Sequence, residues 1–199
     1  MTLLLSRRSA LRLAAASAVT LAAPASLMAA PISYRLNPGR SRVGFGVNLG
    51  GDTLTGQMPV SNADLSLDFD NIGSSRVSVT LNAAATKMGV FFATEAVLAP
   101  GLLDTARHPR IQFQSTRVRQ GPSPAEAIVD GNVTIRGVTR PVTLTTILTQ
   151  DRATLGQENP ELTLNLKGTV DRTDFGMTAY NGLVGPQVTL DIRASIKRG

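Results

Sequence analysis

From Ile32 to Ile196 the apolar residues recur at every second position in segment after segment, the period of a strand with one buried face. The first sets are Ile32/Tyr34/Leu36, Val43/Phe45/Val47/Leu49, Leu65/Leu67/Phe69, Val77/Val79/Leu81/Ala83 and Ile111/Phe113. Ala127/Val129/Gly131/Val133/Ile135 then pairs with Val142/Leu144/Thr146/Leu148 across a turn at Arg136-Gly137-Val138-Thr139-Arg140-Pro141. Leu162/Leu164/Leu166/Gly168/Val170 and Val188/Leu190/Ile192/Ala194/Ile196 complete the series, and a further strand is expected from Thr53 to Met58. Turn signals separate the sets: Asn37-Pro38-Gly39, Gly50-Gly51-Asp52, Asn71-Ile72-Gly73, Gly121-Pro122-Ser123-Pro124 and Gly156-Gln157-Glu158-Asn159-Pro160.

A hairpin-connected row of about eight strands, each polar on one face, predicts an all-β fold. Its antiparallel sheet closes as a barrel or folds as a sandwich. One segment breaks the period. VFFATEAVLAPGLLDTAR, from Val90 to Arg107, has apolar residues at helical spacing divided by Pro100-Gly101, so one or two short helices are expected over one end. With no linker and no internal repeat, one domain spans residues 31–199.

The first thirty residues stand apart. Ser6-Arg7-Arg8-Ser9-Ala10-Leu11-Arg12 is a basic opening, and LAAASAVTLAA behind it is too short and too weakly apolar to span a bilayer. Residues 1–30 are therefore expected to be an export signal, with the arginine pair loosely fitting the twin-arginine type and cleavage falling between Ala25 and Pro31. Removing Arg7, Arg8 and Arg12 from the 20 Lys+Arg leaves 17 against 14 Asp+Glu, a net charge of +3 rather than +6. The remaining basic residues are scattered and aromatics make up only 4%, so nucleic acid is not an expected partner. The chain has no cysteine, and stability must come from a core without disulfides.

Chemistry-bearing groups are sparse. His108, the only histidine, is followed by Pro109 where a helical piece should give way to a strand, and the neighbouring Asp104 alone does not make a catalytic set. One histidine and no cysteine cannot supply an ordinary zinc site. Asp64, Asp68 and Asp70 share a parity opposite Leu65, Leu67 and Phe69, which reads as a solvated face rather than a calcium loop. Asp171-Arg172-Thr173-Asp174-Phe175-Gly176-Met177 reads as a bend closed by an arginine–carboxylate pair, with Arg172 or Asp174 as secondary candidates for a ligand's polar head. Gly44 and Gly46 alternate with Val43, Phe45 and Val47, so they belong to a strand and not to a phosphate loop.

The order of the pieces carries a resemblance. Tyr34-x-Leu36-x-Pro38, Val43-Gly-Phe45, LLDTARHPRIQFQS from Leu102, VDGNVTIRGVTRPVTL from Val129 and DRTDFGM from Asp171 together resemble the YceI-like family of periplasmic polyisoprenoid-binding proteins. The resemblance implies an extended, lipocalin-like antiparallel barrel whose apolar interior holds a long isoprenoid or similar amphiphilic lipid of polyprenyl or quinone type. It implies no enzymatic activity and no cofactor. It also implies association with membrane cytochrome b561-type proteins, with a homodimer left open. Many relatives carry histidine where Asn48 stands here.

The alternation places Phe45, Phe113, Ile135, Leu144 and Leu164 on the enclosed face, with Gly46, Gln114, Thr134, Thr143 and Asn165 outward. Phe91, Phe92, Leu102, Phe175 and Met177 are expected to cover or line the ends. An outer-membrane barrel, which also alternates, is disfavoured by a chain with two Tyr, six Phe and no Trp, too few for aromatic girdles. A hydrolase or isomerase built on Asp104/His108 or Asp171/Asp174 lacks a nucleophile.

Overall fold

The computed structural model describes residues 31–150, 158 and 160–199. The expected export signal, and most of the expected turn at Gly156–Pro160, lie outside them. Eleven strands appear among the described residues: β1 (Ile32–Leu36), β2 (Arg42–Leu49), β3 (Asp52–Met58), β4 (Val60–Leu67), β5 (Arg76–Asn82), β6 (Lys87–Met88), β7 (Arg110–Gln120), β8 (Glu126–Ile135), β9 (Val138–Gln150), β10 (Leu162–Asp171) and β11 (Val184–Arg198). Among the described residues a single α-helix, α1 (Phe91–Leu98), lies between β6 and β7. No helix among the described residues is long and apolar enough to cross a membrane.

The strands form one antiparallel sheet in the order β1-β4-β5-β7-β8-β9-β10-β11, which closes through β1 on β11. β11 is long enough to pair twice. Ile196–Arg198 meet β1, whereas Val184–Arg193 meet β2, followed by β3 and β6. β1/β2, β3/β4 and β5/β6 are thus three bent staves, broken at the 3-10 turn Pro38–Arg40, at Pro59 and at the 3-10 turn Ala83–Ala85. With β7 to β11 they make a closed barrel of eight staves. Closure removes the exposed edges that an open sheet would offer to aggregation.

Bends and bulges set which residues face inward. Ile111 and Phe113 share a face of β7, but a bulge between Ser115 and Arg117 inverts the parity and brings Val118 inside. The β8–β9 turn is tighter than the sequence suggests. Arg136 and Gly137 alone make it, both with positive φ (51° and 76°), a mirror-image two-residue turn whose twist matches that of the strands. Pro141 is therefore a strand residue opposite Asn132. Its missing N–H costs nothing there because β10 pairs with β9 only from Thr145 onward.

One end of the barrel is closed by α1 and the loops after it. The second expected helical piece is a succession of turns after Pro100-Gly101. Arg136 donates to the Gly176 and Pro100 carbonyls (2.5 and 3.1 Å), and the Ala179 amide donates to the Gly101 carbonyl, tying these loops to the β8–β9 turn. At the opposite end Tyr34, Leu65, Leu67 and Ile196 form a separate buried cluster, with Phe69 edge-on to Tyr34 at 5.8 Å.

Candidate functional site

The inward residues enclose a cavity of about 490 Å³ that runs through the barrel. Its wall is apolar except for Ser41, Ser75, Thr146, Arg172 and Arg193. Outward positions carry the polar side chains, such as Gln112, Asn132, Thr143, Lys167 and Asp191. This polarity is the reverse of an outer-membrane barrel, whose apolar band faces outward around a polar lumen.

Three glycines keep the lumen open by letting neighbours fold against the wall. A Cβ at Gly56 would stand 2.5 Å from the Phe45 ring, at Gly131 2.5 Å from the Phe113 ring, and at Gly168 2.6 Å from Leu144 Cδ2. Each large side chain thus lies flat over a bare backbone instead of crossing the cavity.

Eight of the ten residues singled out from the sequence border this space: Phe45, Phe92, Leu102, Phe113, Ile135, Leu144, Leu164 and Met177. Phe91 and Phe175 do not. Phe91 is 84% exposed, because α1 (FFATEAVL) is apolar on nearly every side and only the side bearing Ala93, Ala96 and Val97 can face the cavity. Phe175 is 2% exposed and packed in the core behind the wall, at the end of a 3-10 turn closed by Gly176 in the left-handed conformation.

The hydrogen-bond network of Arg172 is the main feature the sequence did not disclose. It is 3% exposed, and all five of its N–H groups are used. Nε donates to the Gly185 carbonyl, Nη1 to the Met177 and Ala179 carbonyls, and Nη2 to Asn181 Oδ1 and the Val184 carbonyl. The expected arginine–carboxylate pair does not close this bend. Asp171 instead accepts from the Thr173 hydroxyl and amide, and those bonds hold its carboxyl below the ordinary range. The signal was hidden because most of the acceptors are backbone carbonyls, which no residue type announces.

Asp68 also departs from the expected solvated face. At 7% exposure it accepts from the amides of Asn71 and Asp70 and from Ser74 Oγ, and these bonds lower its pKa and shape the β4–β5 turn. Among the described residues no cluster of three His, Cys, Asp or Glu is placed to hold a metal. His108 is half-buried beside Gly137, with its amide on the Asp104 carbonyl at 2.8 Å. The structure brings it the backbone of Asp104. The Asp104 carboxylate lies 3.8 Å from Arg107. Asn48 faces outward and its Oδ1 accepts from the Gly51 amide, capping the β2–β3 turn.

At the end away from α1, Glu161 joins the bent first stave to β10 and β11. It accepts from Ser195 Oγ, from Asn37 Nδ2 at 3.0 Å and from Arg40 at 2.6 Å. The hydroxyl of Ser195 is the largest cause of its lowered pKa.

This geometry, an eight-stave barrel around an apolar lumen, agrees with a match to the YceI-like domain over residues 34–196. The chain belongs to the YceI-like family. Among curated relatives, a UPF0312 protein of Pectobacterium carotovorum is 26% identical over 178 residues, covering 86% of this chain and 88% of its own. Protein YceI of Escherichia coli is 29% identical over 97 residues, 49% of this chain and 50% of that one. The fold is shared with Burkholderia cenocepacia BcnA, at a TM-score of 0.71 and 16% identity over 81% of this chain and 99% of that structure. A Campylobacter jejuni YceI protein aligns at a TM-score of 0.60 and 14% identity, over 71% and 84%.

Proposed function

We propose that this YceI-like protein is a non-catalytic periplasmic carrier that holds a long-chain isoprenoid or similar amphiphilic lipid in its barrel. The supporting observation is the cavity of about 490 Å³ with its almost wholly apolar wall. That size lies within the range of roughly 300–1,000 Å³ usual for small-molecule sites. Burying about 500 Å² of prenyl chain at ~25 cal/mol per Å² contributes roughly 12 kcal/mol, which exceeds association and ordering costs of several kcal/mol. Binding of this kind requires no catalytic group.

A docking role beside a membrane cytochrome b561-type partner is a second reading. It is favoured by the exposed Phe91, Phe92, Tyr180 and Leu183 at the α1 end of the barrel. Such apolar surface on a soluble protein marks an interaction site.

The test of the carrier reading has two arms. Native mass spectrometry of protein recovered from its own periplasm should show a mature chain beginning near Ala30 with a co-purifying lipid. Phe92→Trp, at the cavity wall of a chain without tryptophan, should give a saturable fluorescence change with a long prenyl alcohol or quinone. No saturable change in folded, delipidated protein overturns the carrier reading and leaves the docking one.

A further inference from the structure

Thr146 is the one polar side chain among the described residues that is buried without a hydrogen-bond partner, and it faces the cavity. The residue is 5% exposed and lies on β9 opposite Ala127 of β8 and Leu166 of β10. Neither neighbour offers a polar side-chain atom. A buried, unpaired hydroxyl is destabilising, whereas valine has nearly the same shape without that cost. A water is a poor remedy, since it would need two to four polar partners and the wall here is apolar.

We propose that Thr146 Oγ1 hydrogen-bonds an uncharged oxygen of the bound lipid, a carbonyl or hydroxyl drawn inside the barrel. This rests on the carrier reading and narrows its ligand class. Of the other polar side chains of the wall, Ser41 Oγ is committed to Ser195, Ser75 Oγ to Asp68, and all five Arg172 donors to the 177–185 segment and its side chains, while Arg193 and Tyr180 are exposed residues. A phosphate or diphosphate brought beside Thr146 would find a single hydroxyl to compensate its desolvation, which strongly disfavours a charged head there.

Placement along the barrel also orients the ligand. Thr146 lies eight residues into β9 from Val138, about 26 Å along the strand at ~3.3 Å per residue. Beyond it the cavity continues to Leu36, Leu65, Leu67 and Phe69 at the end away from α1. A polar end held at Thr146 lies nearer the end of the barrel away from α1, and the longer stretch of cavity for its chain runs past Leu144, Phe113 and Met177 toward α1.

The decisive comparison uses Thr146→Val and Thr146→Ser with three probes: a long prenyl alcohol, the prenyl diphosphate of equal chain length, and squalene, which has no polar atom. The parent should bind the alcohol in preference to the diphosphate. In Thr146→Val, alcohol affinity should fall roughly five- to tenfold, the size of one net hydrogen bond, while squalene binding stays within twofold and the ligand-free melting temperature rises. Thr146→Ser should retain most of the alcohol affinity. Equal loss of alcohol and squalene, or no loss of either, overturns the assignment of Thr146. Preference for the diphosphate overturns the neutral-head class. Failure of the folded parent to bind any of the three overturns the carrier reading itself.

Discussion

The ring of Phe113 on β7 lies over Gly131 on β8, so close that a Cβ at Gly131 would stand 2.5 Å from it and 2.6 Å from the Gln114 carbonyl oxygen. The contact holds the ring against the wall. Gly131→Ala is expected to destabilise the barrel by about 1–3 kcal/mol, the usual cost of overpacking, measured by urea denaturation. Adding Phe113→Leu should recover part of the loss and no more, because the clash with the Gln114 backbone remains.

Gly131 and Gly168 stood within inward-facing sets of the sequence pattern, and so did Phe45, Phe113, Ile135, Leu144 and Leu164. A period of two fixes sidedness as long as a strand is regular. It fails at the Ser115/Arg117 bulge, which shifts the register, and at β6, two residues too short to show any period. Helical spacing locates α1 but cannot orient a helix with an apolar residue on nearly every side, so the sequence expects Phe91 to cover or line an end without telling which side of α1 meets the cavity. The Arg172 cluster was illegible for another reason. Its partners are fixed by the path of residues 177–185, and that path depends on the arginine itself.

Arg172 is accordingly expected to be indispensable to the end of the barrel nearest α1. Arg172→Met leaves four carbonyls and the Asn181 side chain without their donor, and the loss should reach about 3 kcal/mol or more. Arg172→Lys keeps the charge but offers three donors in place of five, so it should restore only part of the stability. Hydrogen exchange provides the local check. Protection of residues 176–186 should fall before that of β8 and β9, and simultaneous loss across the whole chain would contradict a local role.

Acid sensitivity follows from Asp68, Asp130, Glu161 and Asp171, whose pKa values all lie below their ordinary ones in the folded chain. The largest causes are, in order, the Asn71 amide, the Thr143 hydroxyl, the Ser195 hydroxyl and the Thr173 hydroxyl. A depressed pKa means that the folded state favours the ionised form. The stability these groups contribute is then complete above the unfolded values and is lost as pH falls through the folded ones. The urea midpoint should therefore stay level from pH 7 to about 5 and decline below about pH 4, where unfolded carboxyls begin to protonate. Glu161→Gln should lower the neutral plateau and flatten the acid limb. An unchanged acid limb would show that Glu161 does not carry this dependence.

Leu144 and Thr145 are adjacent on β9 and face opposite ways, so one step along the chain separates the lumen from solvent. Leu144 is 5% exposed and lines the cavity, while Thr145 is exposed and lies opposite Lys167 of β10. Leu144→Asp buries a carboxylate with no cation supplied for it, at a cost of several kcal/mol, and should abolish lipid occupancy together with much of the stability. Thr145→Asp gains Lys167 as a cross-strand neighbour and should leave both nearly unchanged. Lost occupancy in Leu144→Asp could follow from unfolding alone, so a third variant isolates the cavity. Ala127→Leu adds bulk beside Thr146 without adding charge, and it should cut occupancy several-fold while the melting temperature, read by circular dichroism, stays within about 5 °C of the parent. Full occupancy in a folded Ala127→Leu protein would place the lipid somewhere other than the barrel.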